Sequence, residues 1–399
     1  MDIMSAAGSL HLAWRYIAHH RVRTLLLALA LGLTLALPLA VRTLLRIAQQ
    51  EWRARAQATP LVLGAKGSAL ELTLNALYFR RQGVDTIPAK STRLVRDTSL
   101  GQAIPLHVRF HSQESPIVGT SLDYFGFRGL QLAEGHTLGR LGDCVVGAEV
   151  ARKRNLKPGS YVMSSPEQVF DLAGVYPLNM RVTGILAENH TADDQAIFVD
   201  VKTAWLIEGI AHGHEDLVKT ADATQIQEKQ EGNVVGSKAV RMYAEVTDAN
   251  IGGFHFHGDS DTYSISGVLV VPKDAKSQAL LLGKFQNGGE QQTLQLVQPP
   301  QEMDALLATL VQAERFALLL LLLLGVAVVL IVILVFALSF RLRRREFATL
   351  EDIGISRSTI ALVKTCEILL VSAASLAIVA ITLWLVQHYG AVMVRAGVQ

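Results

Sequence analysis

The sequence predicts an α-helical transmembrane region of three spans and, between the first and second, a large α+β extracytoplasmic domain of two lobes. Three observations carry this reading. Residues 25–41, 316–340 and 368–386 are apolar runs without a charge, and about 20 such residues in a helix cross a bilayer core of about 30 Å. Residues 42–315 are mostly polar, with short β-branched runs set between turns and a few helical segments. Residues 341–367 form a short loop with six basic residues, Arg341, Arg343, Arg344, Arg345, Arg357 and Lys364.

The loop orients the chain. Basic residues in short loops stay on the cytoplasmic side, so residues 341–367 are predicted to be cytoplasmic. Parity then puts residues 1–24 inside, and residues 42–315 and 387–399 outside. The first span is a poorer witness, because arginines flank both of its ends. Its apolar core is longer than that of a cleaved signal and no clear small-x-small site follows it, so it reads as a retained anchor. The chain has 399 residues, a net charge of +2 and no basic stripe with interleaved aromatics, which argues against a nucleic-acid partner. Its two cysteines, Cys144 and Cys366, fall on opposite sides of the predicted membrane. The outer domain is therefore expected to be held by its own core.

The elements follow in order. Residues 9–24 place Leu10, Trp14 and Ile17 at near-helical spacing among Arg and His, the pattern of an amphipathic helix at the inner surface. Beyond the first span the helix continues to Ala56, and Pro60 breaks it. Residues 61–63 read as a strand. Ser68 then caps a helix over 69–79, with Leu70, Leu74 and Leu77 sharing a face. Strands are predicted at 106–110, 144–146, 161–163, 180–186 and 196–199, with a short helix over 149–155. Residues 204–237 are polar and partly helical. Strands return at 239–246 and 263–271, a helix at 274–286, a strand at 294–297, and a helix from 301 leads into the second span.

The cytoplasmic loop reads as helix, turn, helix. A helix through Arg345 and Glu346 to Ile353 puts Phe347, Leu350 and Ile353 on one stripe. Gly354 ends it in the left-handed conformation, and Ser356 caps the helix that becomes the third span. An apolar stripe flanked by charges just under the membrane is a docking knob for a soluble partner; otherwise it is only a well-capped connector.

Enzymatic chemistry finds little support. Gly64-Ala65-Lys66-Gly67-Ser68 is not a phosphate-binding loop, because the lysine precedes the last glycine instead of following it. No GxSxG is present. Asp193, Asp194 and Glu208 lie in polar stretches and read as solvated. Lys364 and Glu367 read as interfacial side chains, spaced for an i, i+3 pair. The histidines are the stronger signal. His212 and His214, and likewise His255 and His257, stand at i, i+2, which on a strand faces both rings to one side. The two pairs could supply four nitrogen ligands to zinc, or three with Asp259 or Glu215; His190 and His136 are further candidates. The plain alternative is a set of surface histidines.

The loop resembles that of FtsX-like and MacB-like ABC transporter permeases. Arg343-Arg344-Arg345-Glu346, Leu350, Gly354 and Ser356 match a family pattern RRREhxxLxxhGhS, where h is apolar. Leu12-Ala13-Trp14-Arg15 and Arg21-Val22-Arg23-Thr24-Leu25-Leu26 are similar to the family's entry into its first span. Val145-Val146-Gly147, Ala151 and Leu156-Lys157-Pro158-Gly159 resemble the MacB-type periplasmic core. The resemblance implies a permease subunit in the bacterial inner membrane, paired as a homodimer, bound to lipid and to a cytoplasmic ATPase that uses Mg-ATP. Motion would pass through Arg345, Glu346, Phe347, Leu350, Ile353, Gly354 and Ser356 to a periplasmic domain. That domain would act on lipoprotein, peptide or small hydrophobic cargo, with or without a periplasmic partner. The family pattern has four spans where three are predicted here, so the chain is either truncated or built on a reduced membrane domain. A second function class stays open: a membrane-anchored metal-binding or signalling protein without transport activity.

Overall fold

The computed structural model describes residues 6–80, 83–165, 177–213, 226–230, 233–236, 243–286 and 293–397. The chain divides into two compact units, Met1–Ala54 with Ala305–Gln399, and Arg55–Asp304.

The first unit is helical. Helices Ala6–His19, Arg21–Gln57, Pro299–Leu342, Arg344–Asp352 and Arg357–Gly397 supply it, the second and third running on into the other unit. Among the described residues, three helices are long and apolar enough to cross a membrane, and each contains one of the runs read from the sequence. Leu27, Ala28, Val332, Phe336 and Val371 form a small core between these helices. Most large apolar residues from Phe316 to Leu338 stay exposed. Such a helix is apolar around its whole circumference, as a span is and a water-facing helix is not. The N-terminal helix packs along Arg357–Gly397. It buries Ser9 and Ala13 there and leaves Leu10 and Trp14 exposed.

The second unit is α+β. Its strands in chain order are β1 (Leu61–Ala65), β2 (Ile87–Pro88), β3 (Gly101–Ser112), β4 (Ser115–Thr120), β5 (Leu132–Gly135), β6 (Asp143–Val146), β7 (Tyr161–Met163) and β8 (Asn179–Leu186). There follow β9 (Ile197–Asp200), β10 (Ala211–Gly213), β11 (Ile226–Gln230), β12 (Asn233–Gly236), β13 (Phe254–Phe256), β14 (Ser264–Ile265), β15 (Gly267–Pro272) and β16 (Leu294–Val297). Ten of them form one sheet in the order β16-β1-β15-β3-β4-β9-β6-β8-β5, with β7 pairing on β8. Most pairs are antiparallel; β4–β9 and β6–β8 are parallel. This sheet runs unbroken, so it does not itself mark out the two expected lobes.

Strand alternation builds a core on each face of the sheet. Ile117 lies opposite Ile197, and Val146 pairs with that same residue; all three join Cys144 and Val199 on one face. Val118, Val145 and Phe198, one residue along, pack on the other with Tyr124 and Phe125. A period of two and burial on both sides explain why β6 and β9 are continuous apolar runs.

Most predicted elements are present. Ser68 caps Ala69–Tyr78 by accepting from the Glu71 N–H. The buried face of that helix holds Leu72, Ala76 and Leu77, so it is turned from the expected Leu70–Leu74–Leu77 face. Of the 204–237 stretch, Val201–Ile207 overlaps the start as helix, and β11 and β12 pair as an antiparallel hairpin where a partly helical segment was expected. Residues 239–242 of one expected strand lie outside the described residues. From Tyr243 to Val246 that stretch makes only an isolated bridge, Glu245 to Asn179.

Candidate functional site

The cytoplasmic loop forms the expected turn. Helix Arg344–Asp352 ends at Ile353, and Gly354 has φ +93°, a conformation a β-branched residue resists. The Ile355 N–H donates to the Leu350 carbonyl at 3.0 Å, and the Gly354 N–H to Glu351 at 2.9 Å. This double closure is a Schellman motif. Ser356 Oγ accepts from the Thr359 N–H at 3.3 Å and so caps the next helix.

The apolar stripe is not a single exposed face. Phe347 is buried, Leu350 is half-buried, and Ile353 is 69% exposed. Steps of three residues drift around a helix, so Ile353 lies about 120° from Phe347. Leu350 lines an apolar cleft with Leu12, Phe347, Ile355, Ile360 and Val363. Arg345 and Glu346 are exposed, and Glu346 accepts from Arg343 at 3.1 Å. Of the predicted stripe and its leading charges, Arg345, Glu346 and Ile353 face outward, beside the exposed Arg344, Ala348, Thr349, Glu351 and Asp352.

An ion cluster that the sequence reading missed holds the base of the helices. Glu367 is only 2% exposed and accepts from Arg23 and Arg343, each at 3.0 Å. Arg23 also donates to Ser339 Oγ at 2.6 Å. Arg343 lies 3.5 Å from the centroid of the Tyr16 ring and 4.8 Å from that of Phe347. Lys364, expected near Glu367, instead sits 4.3 Å over Phe347. Glu367 thus joins the N-terminal helices, the second apolar helix and the third. An acid bordering one span and arginines bordering two others was the available signal.

In the second unit, three of the four candidate histidines meet. Strands β10 and β13 pair antiparallel with His212 opposite His255. His257, two residues on, joins them, and the ligand atoms of the three all lie within 4.8 Å of one another. The strand pair is seated by its other face, where Ala211 is buried and Phe254 packs on the core. His214 and Glu215 lie outside the described residues. Asp259 is not in the cluster; its side chain accepts from the Asp261 N–H. His136 is apart as well, on the Thr137 carbonyl. His190 belongs to another group, with Glu188 and Asp194.

The acids read as solvated are not. Asp193 is 1% exposed and accepts from both terminal nitrogens of Arg55, at 2.7 and 3.0 Å, and from Tyr124 Oη at 2.7 Å. Burial alone would raise its carboxyl, but the Arg55 charge and these hydrogen bonds hold it below the usual carboxylate range. Burial opposes the charge of Arg55 as well, and Asp193 keeps it firmly protonated. Asp194 is 4% exposed and takes the backbone N–H groups of Asn189 and His190, at 3.1 and 2.6 Å. A Cβ at Gly147 would fall 2.3 Å from the Asp194 carbonyl oxygen, so this acidic turn needs glycine beneath it. Glu208, burial opposing, is held low by His107 at 3.2 Å, by Ser264 and by Arg109 at 3.2 Å. The partners of Asp193 and Glu208 come from distant segments, which sequence spacing could not show; those of Asp194 belong to its own turn.

Residues 25–249 match the family model of the MacB-like periplasmic core domain. A comparison with curated proteins gives no match. Among solved structures, the chain is similar to the periplasmic region of MacB from Actinobacillus actinomycetemcomitans, at 12% identity and TM-score 0.33 over 63% of this chain and 94% of that one. It is also similar to the extracellular domain of the noncanonic ABC-type transporter YknZ from Gram-positive bacteria, at 13% identity and TM-score 0.32 over 59% and 98%. The family match spans more than half of the 399 residues, and the chain therefore belongs to the MacB-like family, that of the FtsX/MacB-type ABC transporter permeases.

Proposed function

We propose that the chain is the permease subunit of an ABC transporter in the bacterial inner membrane, driven by Mg-ATP hydrolysis in a separate cytoplasmic ATPase. The observation that carries this reading is the helix Arg344–Asp352, a short amphipathic element fixed at both ends. Gly354 and Ser356 set its exit, and Arg343 ties its entry to Glu367. Push on such a helix is passed to the apolar helices rather than absorbed by a loose loop. Helices Arg21–Gln57 and Pro299–Leu342 are each continuous into the residues of the outer domain. The outer domain, in the periplasm, then changes shape with the ATPase cycle instead of carrying substrate through a pore. Two copies act together on lipoprotein, peptide or small hydrophobic cargo, with or without a periplasmic partner.

The test is ATP turnover in reconstituted membranes. The chain together with its ATPase should hydrolyse ATP at a rate set by the state of this helix. A rate indifferent to every change in residues 343–356 would count against the proposal.

A further inference from the structure

We propose that His212, His255 and His257 form a zinc site on the outer domain, with three imidazole ligands and a fourth position open to water or to a ligand from another molecule. This goes beyond the permease reading and does not depend on it. The geometry argues for a site rather than a chance surface grouping. His212 and His255 are cross-strand partners, so the sheet register itself puts their rings on one face. His255 and His257 share that face by the period of two. Neighbouring ring centroids are 4.7–4.9 Å apart. Ligands about 2.0–2.1 Å from a tetrahedral zinc stand about 3.4 Å from one another. Rotation about the side-chain bonds of exposed and half-buried rings closes that gap without moving the backbone.

The surroundings hold the ligands in place. His255 Nδ1 is 3.3 Å from the Gly253 carbonyl; a proton donated there makes Nε2 the ring's lone-pair nitrogen, the one a metal would take. Tyr263 Oη donates to the His257 carbonyl at 3.0 Å, and the Tyr263 ring stacks on Phe256. On the far side of the strand pair, Ala211 and Phe254 rest on the core. A site on paired strands backed by a core is better preorganised than one on a loop. Imidazole suits zinc and copper, and three neutral nitrogens with an open position leave the metal exchangeable. The Glu188–His190–Asp194 group is the weaker candidate, since both Asp194 oxygens already serve backbone N–H groups.

The experiment is zinc titration of the full chain, purified in detergent, against a chromophoric chelator, with Co2+ as a spectroscopic probe. One zinc per chain is expected, together with the intense visible absorption of tetrahedral Co2+. His212→Ala, His255→Ala and His257→Ala should each weaken zinc about tenfold or more, at least the loss that removing an outer-shell partner of a ligand causes. His190→Ala should change nothing. Thermal unfolding in a chelator separates lost binding from lost folding, and exposed His257→Gln serves if an alanine variant unfolds. Equal binding by wild type and by the His255 and His257 variants would overturn the site, as would loss of binding in His190→Ala alone.

Discussion

Replacing Asp193 with alanine removes the only carboxylate that faces the buried Arg55 guanidinium among the described residues. Arg55 and Asp193 side chains are 8% and 1% exposed, so water screens neither. The variant strands a buried cation and deprives Tyr124 and Thr191 of an acceptor. Breaking such a pair from one side costs about 3–5 kcal/mol. For a domain of this size that lowers Tm by roughly 6–20 °C. Replacing both partners, Arg55→Met with Asp193→Leu, removes the stranded charge and should recover much of the loss. Trp205 is buried in this unit. With Trp14, Trp52 and Trp384 changed to Phe, its fluorescence follows the melting of the outer domain in the full chain. The sign of the pH dependence is fixed by the lowered Asp193 carboxyl. The pair's contribution is complete above the ordinary carboxylate range, near pH 4, and is lost as pH falls through the native value. The gap between wild type and Asp193→Ala should therefore close in acid. A shift under about 2 °C at neutral pH, or a double variant as unstable as the single one, would refute the reasoning.

Two further outcomes are expected. Glu367→Ala releases Arg23 and Arg343 together, so ATP turnover by the complex should fall several-fold while ATPase binding is largely kept; Glu367→Gln should be intermediate. Gly354→Val forces a β-branched residue to positive φ, a cost of about 1–2 kcal/mol, and should impair stimulation more than binding, read by comparing turnover with co-purification.

How much of this was legible in the sequence depends on whether the cause was local. The apolar helices, the Gly354 turn and the Ser68 and Ser356 caps depend on neighbours in the chain, and the sequence pattern pointed to each. So did β6 and β9, whose buried runs are read directly. β4, with Pro116 and Gly119 in six residues, hides among turn signals and is a strand because β3 and β9 flank it. The i, i+2 histidine spacing was visible, but the meeting of His212 with His255 needed the register of two strands some 40 residues apart in the chain. Asp193 looked solvated because its partner Arg55 stands 138 residues earlier. Phe347 looked outward because a stripe on a helical wheel does not say which side another helix covers. Arg343 and Lys364 cover that side here.

The central claim is that residues 344–353 present a surface to a cytoplasmic ATPase. The most direct test is affinity purification of the tagged chain from its own membranes, alongside Ile353→Asp. Ile353 is exposed, so the charge should leave expression and helix packing intact. If the face docks an ATPase, the aspartate loses an apolar contact worth about 1.5–3 kcal/mol. The account predicts that an ATP-hydrolysing subunit co-purifies with wild type and is depleted at least tenfold with the variant. Wild type and variant carrying the same amount of ATPase, or neither carrying any, would contradict it.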